Sequence, residues 1–244
     1  MDGFTPVQDT DQYVKALIYG QPGSGKTRFC ADAPKPVWFD FESSTETLRH
    51  WPEYQHIPVI RPDSIDALIR YVKKAVADPD VDTVIVDTIT SALDFYMRNA
   101  AEKRASKRDK FEFWEADYKY ATQVFTDLFG ILQVAPINVV IIGHERIFRD
   151  GEGKIETIVP DITPRLQQAV SRLVNVVAYL TCENTQKGSM RKLYLNRTRI
   201  IEAKNRLNIQ EMYLEQPSWG NVFEIRETLQ GIPPDSDAIG LRAV

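Results

Sequence analysis

Cysteine and histidine are scarce in this 244-residue chain, with two and three copies. Cys30 and Cys182 lie far apart, and neither sits in a CxxC or Cys/His cluster, so a zinc module and a disulfide scaffold are excluded. Thiols used in this way are those of a reducing compartment, and a cytoplasmic location is expected. No apolar run approaches the ~18 residues of a membrane span, and the polar, acidic opening MDGFTPVQDTDQ does not read as a signal peptide; no membrane partner is expected. There is no excess of positive charge either: 30 Lys and Arg against 34 Asp and Glu leave a formal charge of −4. Any contact with nucleic acid must therefore come from local basic stretches and not from the global field. Internal repeats and low-complexity segments are lacking. What is present, 43% hydrophobic and 26% charged residues, is the composition of an ordinary globular domain, and the length suits one large domain with small appendages.

Hydrophobic patterning places strands at Lys15–Tyr19, Pro36–Glu42, Ile57–Ile60, Asp82–Asp87 and Asn138–His144, the last two apolar on consecutive residues as buried parallel strands are. The proline in Ile57–Ile60 marks an edge strand. Between them, Asp63–Ala77, Ser91–Ala105 and Phe113–Gln133 carry helical periodicity, with Asp63 or Ser64 as N-cap of the first. The stripe Trp114, Tyr118, Ala121, Phe125, Leu128 and Leu132 reads as core. Glu145–Asp161 has no clear period and reads as a loop or hairpin, Pro164–Leu173 as a helix, and Asn175–Leu180, Lys192–Asn196, Ile200–Ala203 and Asn221–Ile225 as short strands. The predicted organisation is an acidic tail (1–12), one α/β domain (13–230) with a mostly parallel sheet and a β-rich C-terminal extension, and a second tail (231–244).

Gly20-Gln21-Pro22-Gly23-Ser24-Gly25-Lys26-Thr27 matches GxxxxGK[ST] in full, after a strand and opening a helix. Glycines there let successive backbone N–H groups converge on a phosphate. Lys26 would reach the β- and γ-phosphates, the Thr27 hydroxyl would bind Mg²⁺, and Arg28 follows directly. Asp87, at the end of the strand Val84-Ile85-Val86, is the candidate to hold Mg²⁺ through water. Thr88 follows it where AAA+ motors place a water-activating glutamate, so that acid must come from elsewhere. Glu42, ending the strand that contains Asp40, is the candidate base at the rim where water would attack. His144 tips the strand from Asn138 and can touch the γ-phosphate. Lys204-Asn205-Arg206 pairs with local acids such as Glu202 and Glu211, or projects into a neighbouring subunit's nucleotide and stabilises developing charge. His50 or Trp51 are candidates for the adenine. No [NT]KxD motif appears, which disfavours GTP.

Taken in order, GQPGSGKT (20–27), WFDFE (38–42), VIVDT (84–88), VVIIGHE (139–145) and AKNR (203–206) resemble the RecA-type recombinase core, and most of all the phage-encoded, single-domain RecA-like proteins of the Sak group. The resemblance spans about residues 13–210. It implies a RecA-like P-loop NTPase core, ATP and Mg²⁺ as ligands, Glu42 as water-activating base and Asp87 as the Mg²⁺ acid. It also implies a phosphate sensor at the tip of the fourth core strand, where RecA has glutamine and this chain has His144. Lys204 and Arg206 match cations inserted across subunits, so ATP between protomers of a filament or ring is implied. The DNA loops of such proteins fall here on Lys103, Arg104, Lys107, Arg108 and Lys110, and on Arg146, Arg149 and Lys154. Basic side chains beside Phe111, Phe113 and Trp114 suit single-stranded DNA.

The expectation is a Mg²⁺-dependent, DNA-stimulated ATPase acting on single-stranded DNA in recombination or annealing, in the cytoplasm of a host cell if phage-encoded, with a single-strand binding protein as a further partner. The alternatives are a helicase or helicase loader, and a nucleotide-regulated DNA-binding module with little turnover.

Overall fold

The computed structural model describes residues 13–105, 115–186 and 188–224. The elements run β1 (Lys15–Tyr19), α1 (Lys26–Ala31), β2 (Pro36–Asp40), β3 (Val59–Ile60), α2 (Ile65–Ala77), β4 (Thr83–Asp87), α3 (Ile89–Ala105), α4 (Glu115–Val134), β5 (Asn138–Gly143), β6 (Glu145–Arg149), β7 (Ile155–Pro160), α5 (Pro164–Leu173), β8 (Val176–Thr185), β9 (Gly188–Tyr194), β10 (Lys204–Asn205) and β11 (Tyr213–Glu215). Two 3₁₀ turns, Ser44–His50 and Pro52–Tyr54, bridge β2 to β3.

Among these residues the main sheet runs β11-β9-β8-β1-β5-β4-β2-β3, with β10 paired to β8. The block from β8 to β3 is parallel, and β9, β10 and β11 add antiparallel strands at one side. β5 lies between β1 and β4, so the strand carrying the glycine-rich turn and the strand ending in Asp87 are separated by one strand. This is an α/β fold, a mostly parallel sheet flanked by helices, with the glycine-rich turn directly after β1.

Alternation along each strand divides the core between the two faces. Leu17, Val37, Phe39, Val84, Val86, Val139 and Ile141 pack with residues of α2 to α5. Ile18, Trp38, Ile85, Val140 and Ile142 face the other way, onto Phe29 and Cys30 of α1 and onto Trp219, Val222 and Phe223. Ser64 caps α2, its Oγ accepting from the Ala67 amide at 3.2 Å. Proline starts α5, where its missing N–H costs nothing.

Of the two readings for Glu145–Asp161, loop or hairpin, the hairpin holds, as β6–β7. Two expectations change. Ile200–Ala203 forms no strand beyond a single bridge from Ile201 to Ile158. Gly220–Glu224 is a single π-helical turn: Trp219, Val222 and Phe223 bury their rings and methyls against Phe29 on one face, a helical spacing that a short apolar run conceals. The short β11 was not anticipated; its pairing to β9 is decided in space. The tails 1–12 and 231–244 lie outside the described residues, as does the 106–114 stretch containing Lys107, Arg108, Lys110, Phe111, Phe113 and Trp114. No helix among the described residues is long and apolar enough to cross a membrane.

Candidate functional site: a phosphate loop facing two carboxylates

The loop after β1 turns on glycines that no other residue replaces. Gly20, Gly23 and Gly25 have φ of 153°, 77° and 98°, a region open to glycine. A Cβ on Gly20 would lie 2.0 Å from the Leu180 carbonyl oxygen, and one on Gly25 would lie 2.6 Å from Arg191 Nε. The Ser24 hydroxyl is buried in this cradle without a hydrogen-bond partner. Lys26 is buried and its Nζ donates to the carbonyls of Gly20 (2.8 Å) and Gln21 (2.7 Å). Burial lowers its pKa, opposed by the charges of Asp87 and Glu42. Backbone amides, an orphaned hydroxyl and a buried ammonium on one cradle fit a phosphate chain.

Parallel pairing brings the acids to the same edge. Asp40 of β2 stands level with Asp87 of β4, and strand alternation turns Asp87 toward the α1 face, away from Val84 and Val86. Asp87 is 2% exposed. Its Oδ2 accepts from Trp38 Nε1 at 3.2 Å and from the Ser44 hydroxyl; among the described residues Oδ1 accepts from none. Burial raises its pKa to about 6, the Ser44 hydrogen bond working against that rise. Thr27, Asp87 and Ser44 supply hard oxygen donors beside the phosphate cradle, a set suited to Mg²⁺, which binds through one or two protein oxygens together with phosphates. No cluster of three or more His, Cys, Asp or Glu forms a separate metal site among the described residues.

Asp40 has a different task. Its carboxylate is fully buried, accepting from the amides of Glu42, Ser44 and Thr45 and from the Thr45 hydroxyl, with Arg61 at 3.3 Å. It shapes the turn that carries Glu42 outward and sets Ser44 against Asp87.

Glu42 Oε1 accepts three hydrogen bonds: from Thr88 Oγ1 (2.7 Å), from the Ser91 hydroxyl, and from His144 Nε2 (2.9 Å). The His144 bond is the largest cause of a pKa lowered to about 2, against the cost of burial. The same bond raises the pKa of His144. Glu42 and His144 are thus hydrogen-bonded at the strand ends of β2 and β5, an ion pair whenever His144 is protonated, with His144 Nδ1 buried and unpartnered. The sequence pointed to both residues but not to their meeting. Ser91, Thr88 and Ser44 escaped it altogether, since serine and threonine near a strand end carry no distinctive pattern.

Arg28, on α1, lays its guanidinium 3.8 Å from the centre of the Trp51 ring, a cation–π contact. Trp51 therefore packs against α1 through Arg28, while nothing singles out His50. Among the described residues, Arg191, at the centre of β9, is a cation beside the loop that no motif announced.

Lys204 and Arg206 are not brought to this site. β10 pairs with Val176 and Val177, at the opposite end of β8 from the loop. Lys204 Nζ donates to the carbonyls of Ser171 and Val174, capping α5, whereas Arg206 is exposed. The expected pairing with Glu202 or Glu211 is absent from Lys204's hydrogen bonds. On the hairpin, Arg146 pairs with Asp161, Arg149 donates to the Gly153 carbonyl (3.0 Å) and Lys154 is exposed; Phe148 is 45% exposed between them. Lys103 and Arg104 belong to the last turn of α3.

Among solved structures, a KaiC-like protein from the hyperthermophilic archaeon Pyrococcus horikoshii OT3 is similar, at 14% identity and a TM-score of 0.47 over 84% of this chain and 89% of that one. No curated protein sequence matches. A family model described as an AAA domain matches residues 12–207, the stretch that holds the glycine-rich loop, Glu42, Asp87 and His144, and the chain belongs to this AAA domain family of P-loop ATPases.

Proposed function

We propose that this chain is a Mg²⁺-dependent ATPase that acts on single-stranded DNA as a homo-oligomer. The observation that carries the catalytic part is the meeting of Lys26, Asp87 and the Glu42–His144 pair at one edge of the sheet. Lys26 and the loop amides bind the β- and γ-phosphates. Thr27 and Asp87 hold Mg²⁺, which offsets phosphate charge when bound. Glu42 presents Oε2, which accepts no hydrogen bond among the described residues, to the attacking water. With a pKa of about 2 it remains a carboxylate throughout, so it orients water more than it removes a proton. His144 fixes Glu42 in place, and the hairpin β6–β7 begins at the very next residue.

That continuity supports the DNA reading. Any shift of His144 with the phosphate state pulls on a hairpin carrying Arg146, Phe148, Arg149 and Lys154, which offer charge and one exposed ring to a single strand. Recombination or annealing, as in the Sak-group proteins the sequence resembles, is the biological setting we propose, with ATP between protomers and Arg206 as the cation supplied in trans. A second reading, a nucleotide-held module with little turnover, draws on the weak basicity of Glu42.

Steady-state ATP hydrolysis with and without single-stranded DNA tests both. Turnover is expected to rise with DNA, and Glu42→Gln is expected to lower it roughly 10²–10⁴-fold while nucleotide binding persists. Hydrolysis unchanged in Glu42→Gln removes the assignment; negligible wild-type turnover with tight binding selects the second reading. Replacing Arg149 and Lys154 with Ala is expected to weaken single-strand affinity and to reduce its salt slope by about 0.7 for each phosphate that the protein no longer neutralises.

A further inference from the structure

Arg191 stands where no motif required a cation. It lies on β9 opposite Cys182 of β8, and its carbonyl accepts from the Gln216 amide at 2.8 Å, which anchors the strand at that point. The side chain crosses β8 to rest on the phosphate loop so closely that a methyl on Gly25 would meet Nε at 2.6 Å, Cδ at 3.1 Å and Cζ at 3.5 Å. Nε is buried without a hydrogen-bond partner, and among the described residues no carboxylate pairs with this guanidinium.

A buried, unpaired guanidinium donor is costly. The surroundings add to the charge. Arg191 lines, with Gly25, Arg28, Asp32, Gln216 and Ser218, a cavity of about 220 Å³. Its single acid, Asp32, already accepts from the Tyr54 hydroxyl. Two guanidiniums beside the amides of a phosphate loop leave this corner net positive, and the planar fork of arginine matches phosphate oxygens. At 220 Å³ the cavity is smaller than the ~300–1,000 Å³ of a complete small-molecule site, so it takes one end of a ligand whose phosphates lie on the loop.

We propose that Arg191 is a nucleotide ligand supplied by the same chain, binding α- and β-phosphate oxygens from the β9 side while the adjoining cavity takes the nucleoside end. The inference rests on the nucleotide reading above and adds a residue to it. Because the α- and β-phosphates are common to both nucleotides, Arg191 would grip the product as firmly as the substrate.

The test is equilibrium binding of ADP and of the non-hydrolysable β,γ-imido analogue of ATP to the full chain, wild type against Arg191→Gln and Arg191→Lys. Arg191→Gln is expected to weaken both ligands by the same factor, roughly 10–100-fold, as for charge-assisted hydrogen bonds. Arg191→Lys, which keeps charge without the fork, is expected to weaken them less. The melting temperature without nucleotide should not fall, and its rise with ADP should shrink. Unchanged affinity in Arg191→Gln overturns the proposal, as does a weakening confined to the triphosphate analogue, or a lowered melting temperature with affinity intact. If Arg191→Gln does not fold, Arg191→Lys decides: weaker binding of both ligands supports the assignment and wild-type affinity overturns it. A wild-type protein that binds neither ligand instead overturns the nucleotide reading itself.

Discussion

At the scale of single residues, the Glu42–His144 pair governs how the site responds to pH. Three donors converge on one carboxylate oxygen and bring its pKa to about 2, while the carboxylate raises the pKa of His144. The two shifts are one interaction seen from its two ends. His144 has a folded pKa above its unfolded value, so the pair's stabilisation is complete below about pH 6.5 and is lost as pH rises through the folded pKa. On the acid side, the depressed Glu42 keeps its share above about pH 4.5 and loses it as pH falls toward 2. Titrating His144 by nuclear magnetic resonance is expected to give a value above 6.5 in the wild type and a fall toward the ordinary range in Glu42→Gln. The stability difference between those two proteins should be largest between these limits and shrink in alkali. An unshifted His144 would mean that the pair does not form in solution.

At the scale of elements, Lys15 shows how a charge can join a strand to a helix. It belongs to β1 and is 8% exposed. Its ammonium donates to the carbonyls of Leu132, Ala135 and Ile137 at 2.8, 2.8 and 2.7 Å. These carbonyls close the end of α4 and lead into β5, where helix groups have no internal partners. Burial lowers the pKa to about 8, so the side chain is still charged at pH 7. The unfolded chain holds that proton up to a pKa near 10.5, so stability rises with pH between about 8 and 10.5. Lys15→Met is expected to cost roughly 2–4 kcal/mol at pH 7, by stranding acceptors, and to abolish that alkaline rise. Denaturant unfolding at pH 7, 9 and 10.5 measures both. Asp40 plays a comparable part at the end of β2, where its buried carboxylate organises the following turn.

At the scale of the whole molecule, the phosphate loop and β10 occupy opposite ends of the sheet. Arg206 therefore lies away from the loop of its own chain, and the proposed role for it is contact with the nucleotide of another protomer. Lys204 is engaged in capping α5, so Arg206→Ala is the cleaner probe of contact between subunits. Mixing Lys26→Ala protomers with Arg206→Ala protomers, each inactive alone, is expected to restore part of the hydrolysis at hybrid interfaces. No recovery at any ratio would argue that each chain works alone. No glutamate follows Asp87; β2 lies next to β4, and Glu42, two residues beyond the end of β2, is the acid proposed above for that post.

Much of this was legible in the order of residues. Consecutive apolar residues in 83–87 and 138–143 announce buried parallel strands because both faces of such a strand meet core. The loop at 20–27 announces itself because a phosphate-binding turn needs glycines at fixed spacing. Helix α2 follows from its cap and periodicity, and α5 from the proline that opens it, signals that act within a few residues. Beyond that range local sequence is silent. Ser44, Ser91 and Arg191 join the site through strand pairing and chain crossing, and Lys204 turns inward because the end of α5 happens to lie beside it. Trp219, Val222 and Phe223 form a helical turn in place of the expected strand, since the ring of Phe29 offers the surface that decides their spacing. The sequence by itself determined the chemistry that the chain can assemble, because backbone freedom and hydrophobic period are local properties. Only the tertiary structure decided which side chains share the phosphate loop, because register and crossing bring together groups more than a hundred residues apart.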